Sequence, residues 1–158
     1  MPTLVVVGAQ WGDEAKGKLV DVLGSEADLV VRYSGGNNAG HTVITGGKTY
    51  KFHLIPAGIL HPGTQAILGS GMVVCPPSLL RELDSTLEQA DAVGDLIISS
   101  AAHVVFPYHK MLDRLEEEAR GENKIGTTSR GIGPAYQDKV ARFGIRMGEF
   151  VDPERFPL

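Results

Sequence analysis

The chain has 158 residues, 42% of them hydrophobic, with a mean hydropathy of -0.02, which suffices for one domain with a core and excludes a disordered or low-complexity protein. Nineteen acidic residues against fifteen Lys and Arg give a net charge of -4, which excludes a broad cationic surface for nucleic acid or an anionic membrane. Any anion must therefore be bound locally, by particular loops.

The N-terminus, Met1-Pro2-Thr3-Leu4, lacks the basic stretch and long apolar core of a signal peptide, so a cytoplasmic location is expected. Leu4 to Val7 is a short β-branched run, as expected for a strand buried on both faces of a mainly parallel sheet. The segment Gly12-Asp13-Glu14-Ala15-Lys16-Gly17-Lys18-Leu19 follows it. Against the phosphate-cradling pattern G-x-x-x-x-G-K-[ST] it supplies Gly12, Gly17 and Lys18 but places Leu19 where a hydroxyl would hold magnesium. A bound metal would need another partner, and Asp13 offers one. Lys16 to Leu23 has the spacing of a helix and Leu29 to Val31 that of the next strand, so the loop is expected at a helix N-terminus, where amides and dipole favour anions. Asp13 among these cations is expected to be ionised.

A second glycine-rich loop, Gly35 to His41, follows the second strand and would project from the same end of a parallel sheet. Asn37 and Asn38 can read a base edge or hydroxyls, and His41 has the ordinary pKa of a proton donor or acceptor near neutrality. Thr42 to Ile44 and Tyr50 to Leu54 read as a hairpin turning at Thr45-Gly46-Gly47-Lys48. Ala66 to Leu68 and Met72 to Val74 read as two short strands around Gly69-Ser70-Gly71. Cys75, the sole cysteine, excludes an internal disulfide and reads as a buried structural thiol.

Pro77 to Leu87 is an amphipathic helix with proline at its start and an apolar set of Leu79, Leu80, Leu83 and Leu87. Leu96 to Ser99 is a strand. His109 to Arg120 is a second amphipathic helix, with Met111, Leu112 and Leu115 on its apolar side and Glu116 to Glu118 reading as a solvated face. The third loop, Lys124 to Tyr136, combines hydroxyls, Arg130 and glycines in the chemistry of a phosphate-monoester pocket, and Arg142 falls on a helix beyond it. No run reaches the roughly 20 apolar residues that cross a membrane.

Together the three loops resemble adenylosuccinate synthetases. That family's Q-W-G-D-E-G-K-G-K is matched by Gln10 to Lys18 with Ala15 in place of one glycine, N-A-G-H-T by Asn38 to Thr42, and H-L-[IV]-P-[SA]-G by His53 to Gly58. G-T-T-x-R-G-I-G-P-A-Y is present as Gly126 to Tyr136 and D-K-x-x-R as Asp138 to Arg142. The resemblance runs along essentially the whole chain. It implies an α/β fold with a mainly parallel central sheet, a P-loop-like GTP-binding loop and flanking helices, truncated relative to the family, with residues 1–158 as the N-terminal portion of a single domain.

It also implies the family's reaction, ligation of IMP and L-aspartate to adenylosuccinate in purine nucleotide synthesis, with GTP split to GDP and phosphate and Mg2+ as cofactor. By motif position, the catalytic residues are Asp13, which removes the N1 proton of IMP, His41, which hydrogen-bonds as charge develops on O6, and Lys16, which stabilises the transferring phosphoryl group. The GTP-contacting stretches are Gly12, Asp13, Glu14, Ala15, Lys16, Gly17 and Lys18 with Gly40, His41 and Thr42. IMP contacts fall on Asp13, Lys16, Asn38, Ala39, Gly40, His41, Thr128 and Arg142, the last donated across a homodimer. Asp13 and the Gly40 carbonyl would contact Mg2+, which answers the missing hydroxyl at Leu19.

Two departures from the family matter. Alanine at position 15 is harmless in the first turn of a helix and strained if the position needs positive φ; the helical placement is the expectation. Family chains are more than twice as long, so the parts that recognise aspartate and guanine have no counterpart here, and 158 residues alone are expected not to turn over. Two alternatives remain: a mononucleotide-binding or dimerising module without turnover, and a related synthetase acting on a guanine nucleotide, as in certain phages. The phage enzymes look different at the base position, so Asp13 favours IMP.

Overall fold

The structure, a computed structural model, describes residues 2–9 and 15–156. It is an α/β fold whose parallel sheet is organised on one long strand. The elements in order are α1 (Lys16–Gly24), β1 (Leu29–Gly35), the hairpin β2 (His41–Thr45) and β3 (Lys48–Phe52), a 3-10 turn (Ala57–Leu60), β4 (Gln65–Val74), α2 (Pro76–Gln89), β5 (Asp95–Ile98), β6 (His103–Val104), α3 (Pro107–Ala119), α4 (Ile132–Ala141) and α5 (Met147–Phe150). β4 pairs in parallel with β1 on one side and with β5 and then β6 on the other.

Side chains of successive residues on β4 face opposite ways, and each face has its own core. Leu68, Met72 and Val74 pack with Phe52, Leu54, Ile59 and Leu79 beneath the hairpin and α2. Val73 instead joins Cys75, Val105 and Ala135 beneath α4. Cys75 is thus the buried thiol expected. The hairpin turns at Gly46 and Gly47, both at positive φ (57° and 74°), the backbone that a two-residue turn matching strand twist requires.

Three expectations are corrected. Leu4 to Val7 is not a strand: it pairs with no strand among the described residues, and Leu4 is 70% exposed. Its apolar pattern records what burial would gain, but it shares no ladder with any of the described strands. Gly69-Ser70-Gly71 does not separate two strands. It lies inside β4 as a bulge opposite Tyr33, where the register with β1 shifts between Arg32 and Ser34, and a Cβ on Gly69 or Gly71 would strike the Tyr33 backbone.

The third correction concerns α3. Met111, Leu112 and Leu115 are exposed, while His109 and Asp113 are buried. The inward face of this helix is polar because it bonds to backbone and side chains of the third loop and α4, described next.

Candidate active site

The second loop is held by charge on both sides of its neighbour. From β1, the Arg32 guanidinium donates to the carbonyls of His53 and Leu54 and, at 2.9 Å, to that of Gly36 at the start of the loop. From α2, the Glu82 carboxylate accepts the amides of His53 (3.0 Å), Leu54 (3.1 Å) and Ile55 (2.8 Å). Burial lowers the Arg32 pKa, and the nearby Glu82 carboxylate opposes that effect. Fixed in this way, His53 reaches the loop itself, its Nδ1 3.1 Å from the Ala39 carbonyl oxygen. A carbonyl only accepts, so Nδ1 carries the proton. A Cβ on Gly40 would lie 2.6 Å from the His53 ring, so glycine is required for this approach.

His41 opens β2. Its ring lies 5.7 Å from that of Phe52 and presses on α1, where a Cβ at Gly17 would lie 2.6 Å from its Cγ. The glycine before Lys18 thus serves His41 packing. Ala15 stands at φ 59°, ψ 27°, the left-handed region, immediately before α1. This corrects the helical placement expected for it, and a non-glycine residue there costs about 1–2 kcal/mol. Gly12, Asp13 and Glu14, the remaining first-loop candidates, lie outside the described residues.

Asn37 and Asn38, adjacent in sequence, do different things. Asn37 is 2% exposed and donates to Ser78 Oγ at 3.1 Å, so it anchors the loop to α2. Asn38 is exposed beside Thr127 and Thr128 of the third loop. Those two loops meet because α4 docks on the second: Gly36 takes Ile132 so closely that a Cβ would lie 2.5 Å from its Cδ1. Tyr136 completes the joint, its hydroxyl accepting the Gly35 amide at 2.7 Å and donating to the Gly71 carbonyl at 2.7 Å.

Two adjoining cavities result. One of about 680 Å³ is lined by Lys16 and Gly17 of α1, Ala39, Gly40 and His41 of the second loop, and Val6 to Gly8, together with part of β1. Its volume is in the range of small-molecule sites. The other, about 380 Å³, is lined by Asn38, Thr127, Thr128 and Gln137 with Glu116, Glu117 and Arg120 of α3. Residues 38 and 39 therefore face different cavities across one peptide bond. Lys18 and Thr42 are exposed and line neither. Arg142 also lines neither. It does not lie within a helix but ends α4, at φ 64°.

The motifs are those of a known family. A family model for adenylosuccinate synthetase matches residues 5–157. The chain belongs to the adenylosuccinate synthetase family. It is 58% identical to the adenylosuccinate synthetase of Heliobacterium modesticaldum and 56% identical to that of Pelotomaculum thermopropionicum, covering 99% of this chain and 36% of each relative. The fully ligated adenylosuccinate synthetase of Plasmodium falciparum superposes with a TM-score of 0.84 at 41% identity, over 94% of this chain and 35% of that one. A cyanophage S-2L succinoaminodeoxyadenylate synthetase, solved with dGMP and dATP, superposes with a TM-score of 0.69 at 30% identity, over 90% and 39%. The chain thus spans little more than a third of its relatives' length.

Several supporting residues escaped the motif reading. Asp138 accepts from Tyr108 Oη at 2.7 Å and from His109 Nε2 at 3.0 Å, while His109 Nδ1 accepts the Phe106 amide. The Tyr108 and His109 bonds hold the Asp138 carboxyl below its usual range; burial, this bond and the carboxylate charge push the Tyr108 phenol up to about 12. Lys139 donates to the Ser70 carbonyl at 2.7 Å and faces His103 Nδ1 at 3.2 Å. Burial lowers both the Lys139 and His103 pKa values, reinforced at His103 by the Lys139 and Arg146 charges and at Lys139 by Arg146. D-K-x-x-R is thus partly a structural signature, its first two residues joining α4 to α3, β4 and β6.

Proposed function

We propose that this chain forms the IMP-side and phosphoryl-transfer portion of a GTP-dependent adenylosuccinate synthetase. The observation that carries the reading is the cavity lined jointly by Lys16, Gly17, Ala39, Gly40 and His41, four of them catalytic or GTP-contacting by the family motif. Asp13 takes the N1 proton of IMP. The O6 oxygen then attacks the γ-phosphorus of GTP, the bond to the β-phosphate oxygen breaks, and GDP leaves. His41 hydrogen-bonds the oxygen on which charge develops, and Lys16 offsets the charge of the phosphoryl group, an electrostatic form of catalysis. The amine of L-aspartate then attacks C6 and phosphate departs.

The donor set suits magnesium. Among the described residues no group of three or more His, Cys, Asp or Glu could hold a metal, whereas Mg2+ takes few protein ligands and is completed by waters and phosphate oxygens. The carbonyl of Gly40, a residue that lines the first cavity, and Asp13 would hold it, and when bound it would neutralise charge on the transferred phosphate. Asn38 and Thr128, which line the second cavity, would receive the IMP phosphate.

Arg142 would complete that site from a partner subunit in a homodimer. It is flanked by Val140 and Phe143, 79% and 81% exposed, an apolar surface that a second copy would cover. No helix among the described residues is long and apolar enough to cross a membrane.

The test is adenylosuccinate formation from IMP, GTP and L-aspartate. The purified 158-residue chain is expected to give none, because aspartate and guanine recognition belong to parts of the relatives beyond the length matched here. In a full-length relative, replacement of the residue matching Asp13 by Ala should abolish turnover with the fold intact. A variant that keeps much of its rate would remove Asp13 as the base.

A further inference from the structure

The run Glu116-Glu117-Glu118 behaves as a solvated face at Glu118, which pairs with Arg114 at 3.6 Å on the surface, but not at Glu117. The Glu117 carboxylate accepts three consecutive backbone amides of the third loop, from Ile125 (3.2 Å), Gly126 (2.8 Å) and Thr127 (3.3 Å). Its side chain is only 12% exposed, and Arg120 stands 3.7 Å away. One turn earlier on the same face of α3, Asp113 is buried and accepts the Gly131 amide at 2.8 Å. The two carboxylates are four residues apart, the spacing that stacks side chains on one helix face. They grip the two ends of a single loop.

Between those grips lies Thr127-Thr128-Ser129-Arg130, with Ser129 held at φ 51° and its amide 3.4 Å from Thr127 Oγ1. A loop that contains a non-glycine left-handed residue keeps that conformation only when its surroundings fix it. Gly131, at φ 77°, is packed so tightly that a Cβ would lie 2.7 Å from the Lys110 amide nitrogen. The far end is therefore fixed by packing as well as by Asp113. The near end is exposed, and Glu117 is its anchor.

We propose that Glu117 is a positioning residue for the phosphate-monoester pocket: as a fixed internal anion it gathers the amides of Ile125, Gly126 and Thr127 and so holds the Thr127 and Thr128 hydroxyls at the cavity wall opposite Asn38. The role rests on the reading of that cavity as the IMP phosphate site. Charge matters here, since a carboxylate can accept three N–H bonds where a carboxamide offers one oxygen. The bonds from the Gly126, Ile125 and Thr127 amides, with the Arg120 charge, outweigh partial desolvation, which alone would raise the carboxyl, and hold it below its ordinary range. The group is thus ionised at neutral pH and delivers the full hold.

The test compares the unsubstituted chain with Glu117→Gln and Glu117→Ala by amide hydrogen exchange and by calorimetric titration with IMP and with GTP. In Glu117→Ala, exchange at residues 125–127 should accelerate about tenfold or more, with β4 amides unchanged, and IMP affinity should fall about tenfold while GTP affinity holds. Glu117→Gln should recover part of both effects. Unchanged exchange in Glu117→Ala would show that Glu117 does not hold the loop. Faster exchange with IMP affinity intact would reduce it to a structural contact and overturn the positioning role. If the unsubstituted chain binds no IMP, the substrate reading fails and the positioning role with it, while the exchange rates still report the anchor.

Discussion

Gly17 of α1 and His41 pack with no room for a methyl group between them: a Cβ at Gly17 would lie 2.4 Å from His41 Cδ2. A glycine that the first-loop motif puts at the phosphates therefore also seats the histidine proposed to hydrogen-bond O6. Gly17→Ala should displace the ring from Phe52 and cost about 1–3 kcal/mol through overpacking. Urea unfolding measures the cost, and loss of the Phe52 ring-current shift on the His41 protons reports the displacement. An unchanged His41 spectrum would contradict the contact.

Ala15 and Ser129 are non-glycine residues at positive φ, 59° and 51°, in the first and third loops. Glycine relieves the left-handed penalty and gives back part of it as unfolded-state entropy. Ala15→Gly is accordingly expected to stabilise the chain by about 0.5–1 kcal/mol. Chemical denaturation of the two proteins decides it, and a destabilisation of similar size would show that the position is not left-handed.

The Tyr108–Asp138–His109 network gives stability a defined pH dependence. Asp138 has a depressed pKa in the folded chain, so its contribution is complete above the unfolded carboxylate pKa of about 3.9 and is lost as pH falls through the lower folded value. Tyr108 is raised to about 12, so the neutral phenol's contribution is complete below about 10 and is lost as pH rises toward 12. Asp138→Asn should cost about 2 kcal/mol near neutrality. The difference in urea midpoint from the parent chain should shrink below about pH 4; a constant difference down to pH 2 would remove Asp138 from the account.

Much of the fold is legible in the residues. Gly46-Gly47 dictates the hairpin turn, Pro76-Pro77 starts α2, and the glycine-punctuated loops announce the site. What was not legible depended on partners distant in sequence. Leu4 to Val7 reads as a buried strand because apolar content is local, whereas ladder bonds come from another segment. Met111, Leu112 and Leu115 set the apparent apolar face of α3, yet the helix turns His109 and Asp113 inward because α4 and the third loop present a carboxylate and an amide for them to bond. Asn37 and Asn38 are indistinguishable by composition. Only the position of Ser78, some forty residues on, makes one an anchor and leaves the other at a cavity.

Exposed Val140 and Phe143 flank Arg142, which places the proposed dimer surface at the end of α4. Phe143→Asp should shift the chain toward monomer in sedimentation experiments, and Arg142→Leu should weaken IMP binding under dimeric conditions without changing it in the monomer. Equal IMP affinity for Arg142→Leu and the parent in the dimer would take Arg142 out of the site.

These loops are proposed to select IMP, and calorimetric titration of the chain with IMP, dGMP and GTP measures that selection. Binding of IMP in clear preference to dGMP is expected, weakened by Asn38→Ala and Thr128→Ala. Preference for dGMP would place the chain with the phage synthetases, and binding to phosphates without regard to base would contradict substrate selection by this part of the enzyme.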